Sequence, residues 1–571
     1  MKRFIFLLAA IEMIAVIVRC FYGVEVTDEA YYLANANMLL QGKIPITDIW
    51  TFHSGSLIIY GWLIGLYRFF VPNLESVFLF TRIAFTLFRF IILFYGFLVL
   101  KKRIHIYPTL CICMVLIPYY GFINNFSYNS VGEWGALLTG FVVWNAVFDD
   151  KNRYLRLGIA GVLTTLAICS HPGMIFNTFL FGSFYFFLKE KRIISLIVYI
   201  AGGISTVFFL FAGIVIQSGG IKKLFYSTTR MITATPQIIR PGKGDTFVQA
   251  ILKTKFELST LIFIIVLSVA VAVFISYKRK ENIKPIIRLW LVCGICIWVA
   301  VNLIHDFYRT IGNETDKQYG ILAGIASVCL FLAGKKDRTH VALFLFFSCP
   351  AIIFTVTNGL VTSGGLYERF GSMIPCFAGF VGMLFHLIEI SRVRKESVSG
   401  MAVALTVMLS AAVLAFDYEY AYREEAPVLL KERVQKGIYK GLYTTWDNRK
   451  TLQEIEEIVR RKTNKCQTIL AMDCAPEIYL MTRAKALAPS AWDNMHYADG
   501  KNDPSIMYEY FEFMGEIPDK IVYAASPYKR NPSILNEDYL FNDFVNQYYS
   551  KEYSKKYKND YELIIYTLTN K

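Results

Sequence analysis

Apolar runs separated by short polar clusters make up the first 417 positions of this chain. They lie near 4–22, 77–100, 106–123, 131–148, 155–170, 173–188, 193–216, 257–277, 286–304, 319–334, 340–357, 370–390 and 399–417. A helix needs about 20 apolar residues to cross a bilayer, with some tolerance, so these runs predict about thirteen transmembrane helices. A shorter run, Ser56–Val71, carries Arg68 and reads as an amphipathic segment lying on the membrane surface. The opening Met1-Lys2-Arg3 and its long apolar run, with no clear small-x-small cleavage site after it, predict an uncleaved first span.

From Tyr418 onward the pattern changes. Helix-like stretches (Thr451–Lys462, Pro504–Met514, Glu537–Tyr549) alternate with strand-like ones (Thr468–Met472, Lys520–Ala524, Glu562–Leu568). The expected fold class is therefore a polytopic α-helical membrane protein with a C-terminal α/β domain. The division falls into 1–417, a multi-pass domain whose first outer loop is 23–76, and 418–571.

Charge sets the sidedness. Lys101–Arg103, Lys151/Arg153, Lys189/Lys191/Arg192, Lys278–Lys280, Lys335/Lys336/Arg338 and Arg392/Arg394/Lys395 sit between apolar runs. With Ser56–Val71 on the surface, all six clusters share a side with the N-terminal Lys2-Arg3. The positive-inside rule makes that side cytoplasmic. If Ser56–Val71 crossed, the clusters and the N-terminus would conflict. The C-terminal domain is then extracytoplasmic, on the outer face of the cytoplasmic membrane. Composition agrees with a membrane chain: 55% of the 571 residues are hydrophobic and 18% charged, below the usual quarter. The formal charge of +15 does not point to nucleic acid, because 418–571 is nearly neutral, with 22 Lys+Arg against 23 Asp+Glu. The excess lies in clusters facing the membrane surface. Most of the 11 cysteines lie in apolar runs and read as packing residues. Cys466 and Cys474 lie in the polar tail and could pair if that tail faces an oxidising compartment.

The segments placed outside hold the candidate chemistry. Thr27-Asp28-Glu29 follows the first run, and Ala30–Leu40 is helical in character up to Gly42. Two carboxylates at a membrane surface are costly unless exposed or used, but helix capping by itself accounts for them. Loop 217–256 breaks the charge rule, with Lys222, Lys223, Arg230, Arg240, Lys243, Lys253 and Lys255 against Asp245 alone. Anionic lipid headgroups and a phosphate-bearing substrate explain it equally well. Arg309 and Arg369, isolated at outer span ends, suit a phosphate fork, while pairing with Glu368 or snorkelling explains Arg369 as well. His53, His171 and His305-Asp306 share this side and could hold a divalent cation, but no i,i+4 His pair or Cys–His spacing supports a metal site.

The order Asp28-Glu29, Ala34, Leu39, Gly42, Pro45, Asp48, His53 resembles the first outer loop of GT-C glycosyltransferases, the protein mannosyltransferase and aminoarabinose transferase group. His171-Pro172-Gly173 and Tyr367-Glu368-Arg369-Phe370 with Pro375 are similar to further features of that group. Departures are Ser54-Gly55-Ser56, where many members have prolines, and Asn124, Asn125 and Asn129, where many have an acid. The resemblance implies an inverting transferase that moves a hexosyl or pentosyl unit from a polyprenyl-phosphate donor to a hydroxyl of a glycan, lipid or protein. It implies Asp28 as base with Glu29 as the alternative. Asp48, His53, His171, Arg240, Arg309, Tyr367 and Arg369 are the expected donor or substrate contacts. Two other readings compete: a transporter or flippase of lipid-linked glycans, and a non-catalytic assembly protein. Against transport, the polar residues sit at span ends instead of on broken helices at midplane in related halves.

Overall fold

The computed structural model describes residues 2–234, 255–279, 283–309, 315–361, 366–390, 395–472, 475–491, 505–525, 541–558 and 561–569, except 52, 122, 335, 420, 422, 423. Among the described residues, eight helices are long and apolar enough to cross a membrane. They run over Val77–Leu100, Tyr128–Phe148, Arg192–Gln217, Ser259–Lys278, Ile286–Leu303, Arg338–Gly359, Arg369–Glu389 and Gly400–Glu419. The chain is thus mostly helical and multi-pass.

Five runs expected to cross fall short of that standard for visible reasons. Helix Lys2–Arg19 carries Lys2, Arg3, Glu12 and Arg19, and Ile106–Leu116 is short. Arg153–Ser170 contains two arginines and several small polar residues, and Thr315–Ala333 begins with a polar turn. The run 173–188 is not one helix. It is split into a 3₁₀ turn, Pro172–Phe176, and two short helices, Asn177–Gly182 and Phe184–Phe187.

Helix Tyr128–Phe148 is central: Trp134, Phe141 and Trp144 are almost wholly enclosed. Helix Arg192–Gln217 is peripheral, with Ile204, Phe208 and Phe209 exposed as a lipid-facing side requires. Its contact with Arg153–Ser170 depends on glycine. A Cβ on Gly161 would stand 2.0 Å from the Tyr199 carbonyl oxygen, and one on Gly202 2.3 Å from that of Gly158. In lipid, where there is no hydrophobic drive between helices, such backbone approach is what holds them together.

Between the first helix and Val77 lie two helices. Asp28–Leu40 matches the expected one and ends at Gln41 and Gly42, whose φ of +90° suits glycine. Ser54–Phe70 occupies the expected amphipathic segment, with Ser56, Tyr60 and Ile64 buried and Trp62, Phe69 and Phe70 exposed.

The C-terminal region holds a five-stranded sheet in the order Lys485–Ala486, Thr468–Met472, Lys520–Ala525, Glu562–Leu568, Tyr549–Lys556. The first three strands are parallel and the last two antiparallel. All three expected strands are present, and Tyr549–Lys556 is an addition. Its charged, mostly exposed alternation marks a protected sheet edge. Helices Trp446–Thr463, Ser505–Met514 and Phe541–Tyr548 complete it. This region grips the loop after the first helix: Gly23 N donates to Tyr443 O at 3.0 Å and Tyr443 N to Phe21 O at 2.7 Å. It also lies on helix Asp28–Leu40, where Asn35 Oδ1 accepts from Ala491 N and Gln41 Oε1 from Ala486 N, each at 3.1 Å. Cys466 is half-buried, while its expected partner Cys474 lies outside the described residues.

Candidate functional site

The N-terminus of helix Asp28–Leu40 organises one end of the bundle. Thr27 does not cap it. Glu25 does: its carboxylate accepts from Thr27 N at 2.8 Å, from the Thr27 hydroxyl and from Glu29 N. These are the donors that a helix start leaves open. Glu29, 1% exposed, is bound by Arg82, whose Nε lies 2.8 Å from Oε1 and whose Nη2 lies 2.5 Å from Oε2. The remaining Arg82 nitrogen, Nη1, donates to the carbonyls of Gly23 at 2.9 Å, Tyr22 at 3.2 Å and Cys20 at 3.3 Å. One guanidinium thus ties the helix start to the end of the first helix. This is a buried pair with its hydrogen bonds met, the arrangement in which arginine is strongest.

A cavity of about 530 Å³ opens beside this knot, within the range of small-molecule sites. Glu25, Glu29 and Arg82 line one wall, and Arg19 with Asp417 another. Asp316, Lys317 and Arg369 line a third, and Asn124 and Asn129 contribute amides. Glycine makes the third wall possible. A Cβ on Gly320 would lie 1.7 Å from the Phe370 carbonyl oxygen, so helix Thr315–Ala333 packs directly on the 3₁₀ helix Tyr367–Met373. That turn is tied to the central helix by Ser372, which donates to Glu133 Oε1 at 2.8 Å; the Tyr119 hydroxyl donates to the same carboxylate.

Asp28 is half-buried in the first turn, and its neighbours Glu25 and Glu29 face the cavity. Asp28 and Arg369 both lie within electrostatic reach of Tyr128. Beside Tyr128, the His53 ring is stacked at 3.7 Å between centroids and 8° between planes. His53 Nδ1 donates to Ser170 O at 2.8 Å, and burial lowers its pKa to about 4, so the ring is neutral at pH 7. His171 Nδ1 accepts from Gly173 N at 3.1 Å. Burial first, then His53 and Arg369, hold its pKa well below the usual histidine value. Both histidines therefore serve as neutral hydrogen-bonding groups.

The expected site residues separate into groups. Glu29 and Arg369 line the cavity, while His53 and His171 lie beside Tyr128, which is also within electrostatic reach of Asp28 and Arg369. Asp48 does not line the cavity: its Oδ2 accepts from Ile44 N at 2.9 Å, its Oδ1 is 3.9 Å from Lys223 Nζ, and its carbonyl accepts from the Tyr510 hydroxyl. Its place is in the seam with the C-terminal region. Arg309 ends helix Ile283–Arg309 and Tyr367 begins the 3₁₀ turn. Arg240 lies outside the described residues. The basic loop also finds partners within the protein: in helix Ile221–Ala234, Arg230 pairs with Glu509 at 3.1 Å and Lys223 sits 5.0 Å over the Phe513 ring.

Sequence reasoning passed over Arg19, Glu25, Arg82, Glu133, Asp316, Lys317 and Asp417. A signal existed for Arg82 and Glu133, since charges inside apolar runs need a partner or a task. For Glu25 it was the three-residue offset from Asp28. Among the described residues, no three His, Cys, Asp or Glu side chains gather to hold a metal ion. No family model matches the chain, and no curated protein matches it.

Proposed function

We propose that the protein is an inverting, GT-C-like glycosyltransferase that takes a sugar from a polyprenyl phosphate and places it on an acceptor hydroxyl at the outer face of the cytoplasmic membrane. The observation that carries this reading is the meeting of an acidic helix start with cations around one cavity. The helix start bearing Asp28 is held by Glu25 and by the Glu29–Arg82 pair, and Arg369 and Lys317 line the same cavity as Glu25 and Glu29. In the reaction, the acceptor oxygen attacks the anomeric carbon from the side opposite the phosphate, and Asp28 takes the hydroxyl proton. The bond from the anomeric carbon to the phosphate oxygen breaks, and its electron pair leaves with the polyprenyl phosphate. Fixed cations stabilise that charge without rearranging. Glu29 does not share the base role, because Arg82 occupies both of its oxygens. The acceptor is a glycan, a lipid or a protein hydroxyl.

About thirteen spans, a cytoplasmic N-terminus and an extracytoplasmic C-terminal domain belong to the same proposal. Their support is the agreement of the six basic clusters. The test uses purified protein in liposomes with a labelled polyprenyl-phosphate sugar and a mixed acceptor pool. Transfer is expected, and Asp28→Asn is expected to lower it by about 10²-fold or more with donor binding retained. Full transfer by that variant would remove Asp28 as base. Translocation of the lipid with no transfer would replace the reading with a flippase.

A further inference from the structure

The other end of the central helix carries an arrangement that the proposed transfer does not use. Phe148, the last residue of Tyr128–Phe148, has two guanidinium groups against its ring. Arg103 stands 5.3 Å and Arg338 5.1 Å from its ring centroid. Arg338 is fixed there, its Nη2 donating to Val147 O at 3.0 Å and Phe187 O at 2.7 Å. Arg103 and Arg153 both lie within electrostatic reach of Arg338.

Three carboxylates of the adjoining turns, Asp149, Asp150 and Asp337, are otherwise engaged. Asp149 binds Lys102 at 3.1 Å and Arg156 at 3.3 Å, Asp150 pairs with Arg153, and Asp337 binds His386 at 2.8 Å. Among the described residues, Arg103 has the Phe148 ring as its side-chain contact and no carboxylate partner. Like charges held against one ring repel each other, and an anion bound between them relieves that repulsion. Two guanidiniums offer the forked donors that a phosphate accepts.

Position selects the source of that phosphate. Asn129 lines the cavity at one end of this helix and Phe148 closes the other, about 30 Å away at 1.5 Å per residue. That is the thickness of a bilayer's hydrocarbon core, so the arginine pair sits where the opposite leaflet's headgroups lie. We propose that Arg103 and Arg338, spaced by Phe148, form a binding site for the phosphate of an anionic membrane lipid.

The test measures thermal shifts of the full chain in a zwitterionic detergent, titrated with phosphatidylglycerol, phosphatidylcholine or inorganic phosphate. Phosphatidylglycerol is expected to raise Tm saturably, with little effect from the other two. Arg103→Gln is expected to raise the half-saturating concentration about fivefold, the effect of one basic residue near an anionic headgroup, and Arg103→Lys to do less. Lys151→Gln, which removes an exposed charge from the neighbouring turn, is expected to change it little. The site is overturned if Arg103→Gln binds as the parent does, or if Lys151→Gln weakens binding equally. An equal shift with inorganic phosphate overturns the lipid as its ligand. Arg103→Gln leaves the hydrogen bonds from the Arg338 guanidinium to the Val147 and Phe187 carbonyls in place, so the variant tests the anion and not the fold.

Discussion

His53 shows what a single side chain adds beyond its identity. Its Nδ1–H goes to the Ser170 carbonyl and its face to Tyr128, and burial lowers its pKa to about 4 against about 6.5 in an unfolded chain. Between those values the unfolded form binds more protons than the folded one, so stability rises with pH across that window and is lost as pH falls from about 6.5 to 4. His171 acts in the same direction. The difference in Tm between the parent and His53→Gln is expected to be constant from pH 8 to about 6.5 and to shift against the parent as pH falls from there to 4. A difference that does not change with pH would mean that His53 contributes no such dependence. Arg82 makes the complementary point. It is a full charge inside an apolar run, and it is tolerated because Glu29 and three carbonyls meet its donors.

At the scale of elements, close approach explains the departure at Ser54-Gly55-Ser56. Helix Ser54–Phe70 meets the end of Arg153–Ser170 so closely that a Cβ on Gly55 would stand 2.7 Å from Ser170 N and 2.9 Å from the Cys169 carbonyl carbon. These are backbone atoms and cannot swing aside. Gly55→Ala is expected to cost about 1–3 kcal/mol as overpacking and to lower Tm measurably, whereas Ser56→Ala, at a neighbouring position without such a clash, costs less. Equal melting of the two variants would refute the close contact. The same contact leads from Gly55 to Ser170, whose carbonyl accepts the His53 Nδ1–H hydrogen bond, so this packing also positions His53.

For the whole molecule, sidedness and the docking of the C-terminal region matter most. That region holds the loop after the first helix through Tyr443 and covers helix Asp28–Leu40 through Ala486 and Ala491. It therefore stands at the cavity end, while Arg103 and Phe148 stand at the other. Lys101→Cys and Trp446→Cys, both at exposed positions, are expected to react with a membrane-impermeant maleimide from opposite faces of sealed vesicles. Reaction from the same face would undo the assignment of outer and inner loops.

The sequence by itself was enough for the membrane class, because a run of about 20 apolar residues has few other fates in water or lipid. It also carried helix Asp28–Leu40 and three of the five strands of the C-terminal sheet, since capping residues, glycine and period-two alternation act locally. It singled out Asp28, Glu29, His53, His171 and Arg369 without placing them together. Only the tertiary structure brought Arg82 onto Glu29, because Arg82 lies 53 positions from Glu29 and nothing local signals the pair. Likewise it drew Asp48 away into the seam with Lys223 and Tyr510, and brought Lys317 and Asp316 up to Arg369 through a glycine contact. Local pattern follows from the chain's own solvation and backbone preferences; the partner of a charge depends on which distant segments the packed helices bring within a hydrogen bond's length.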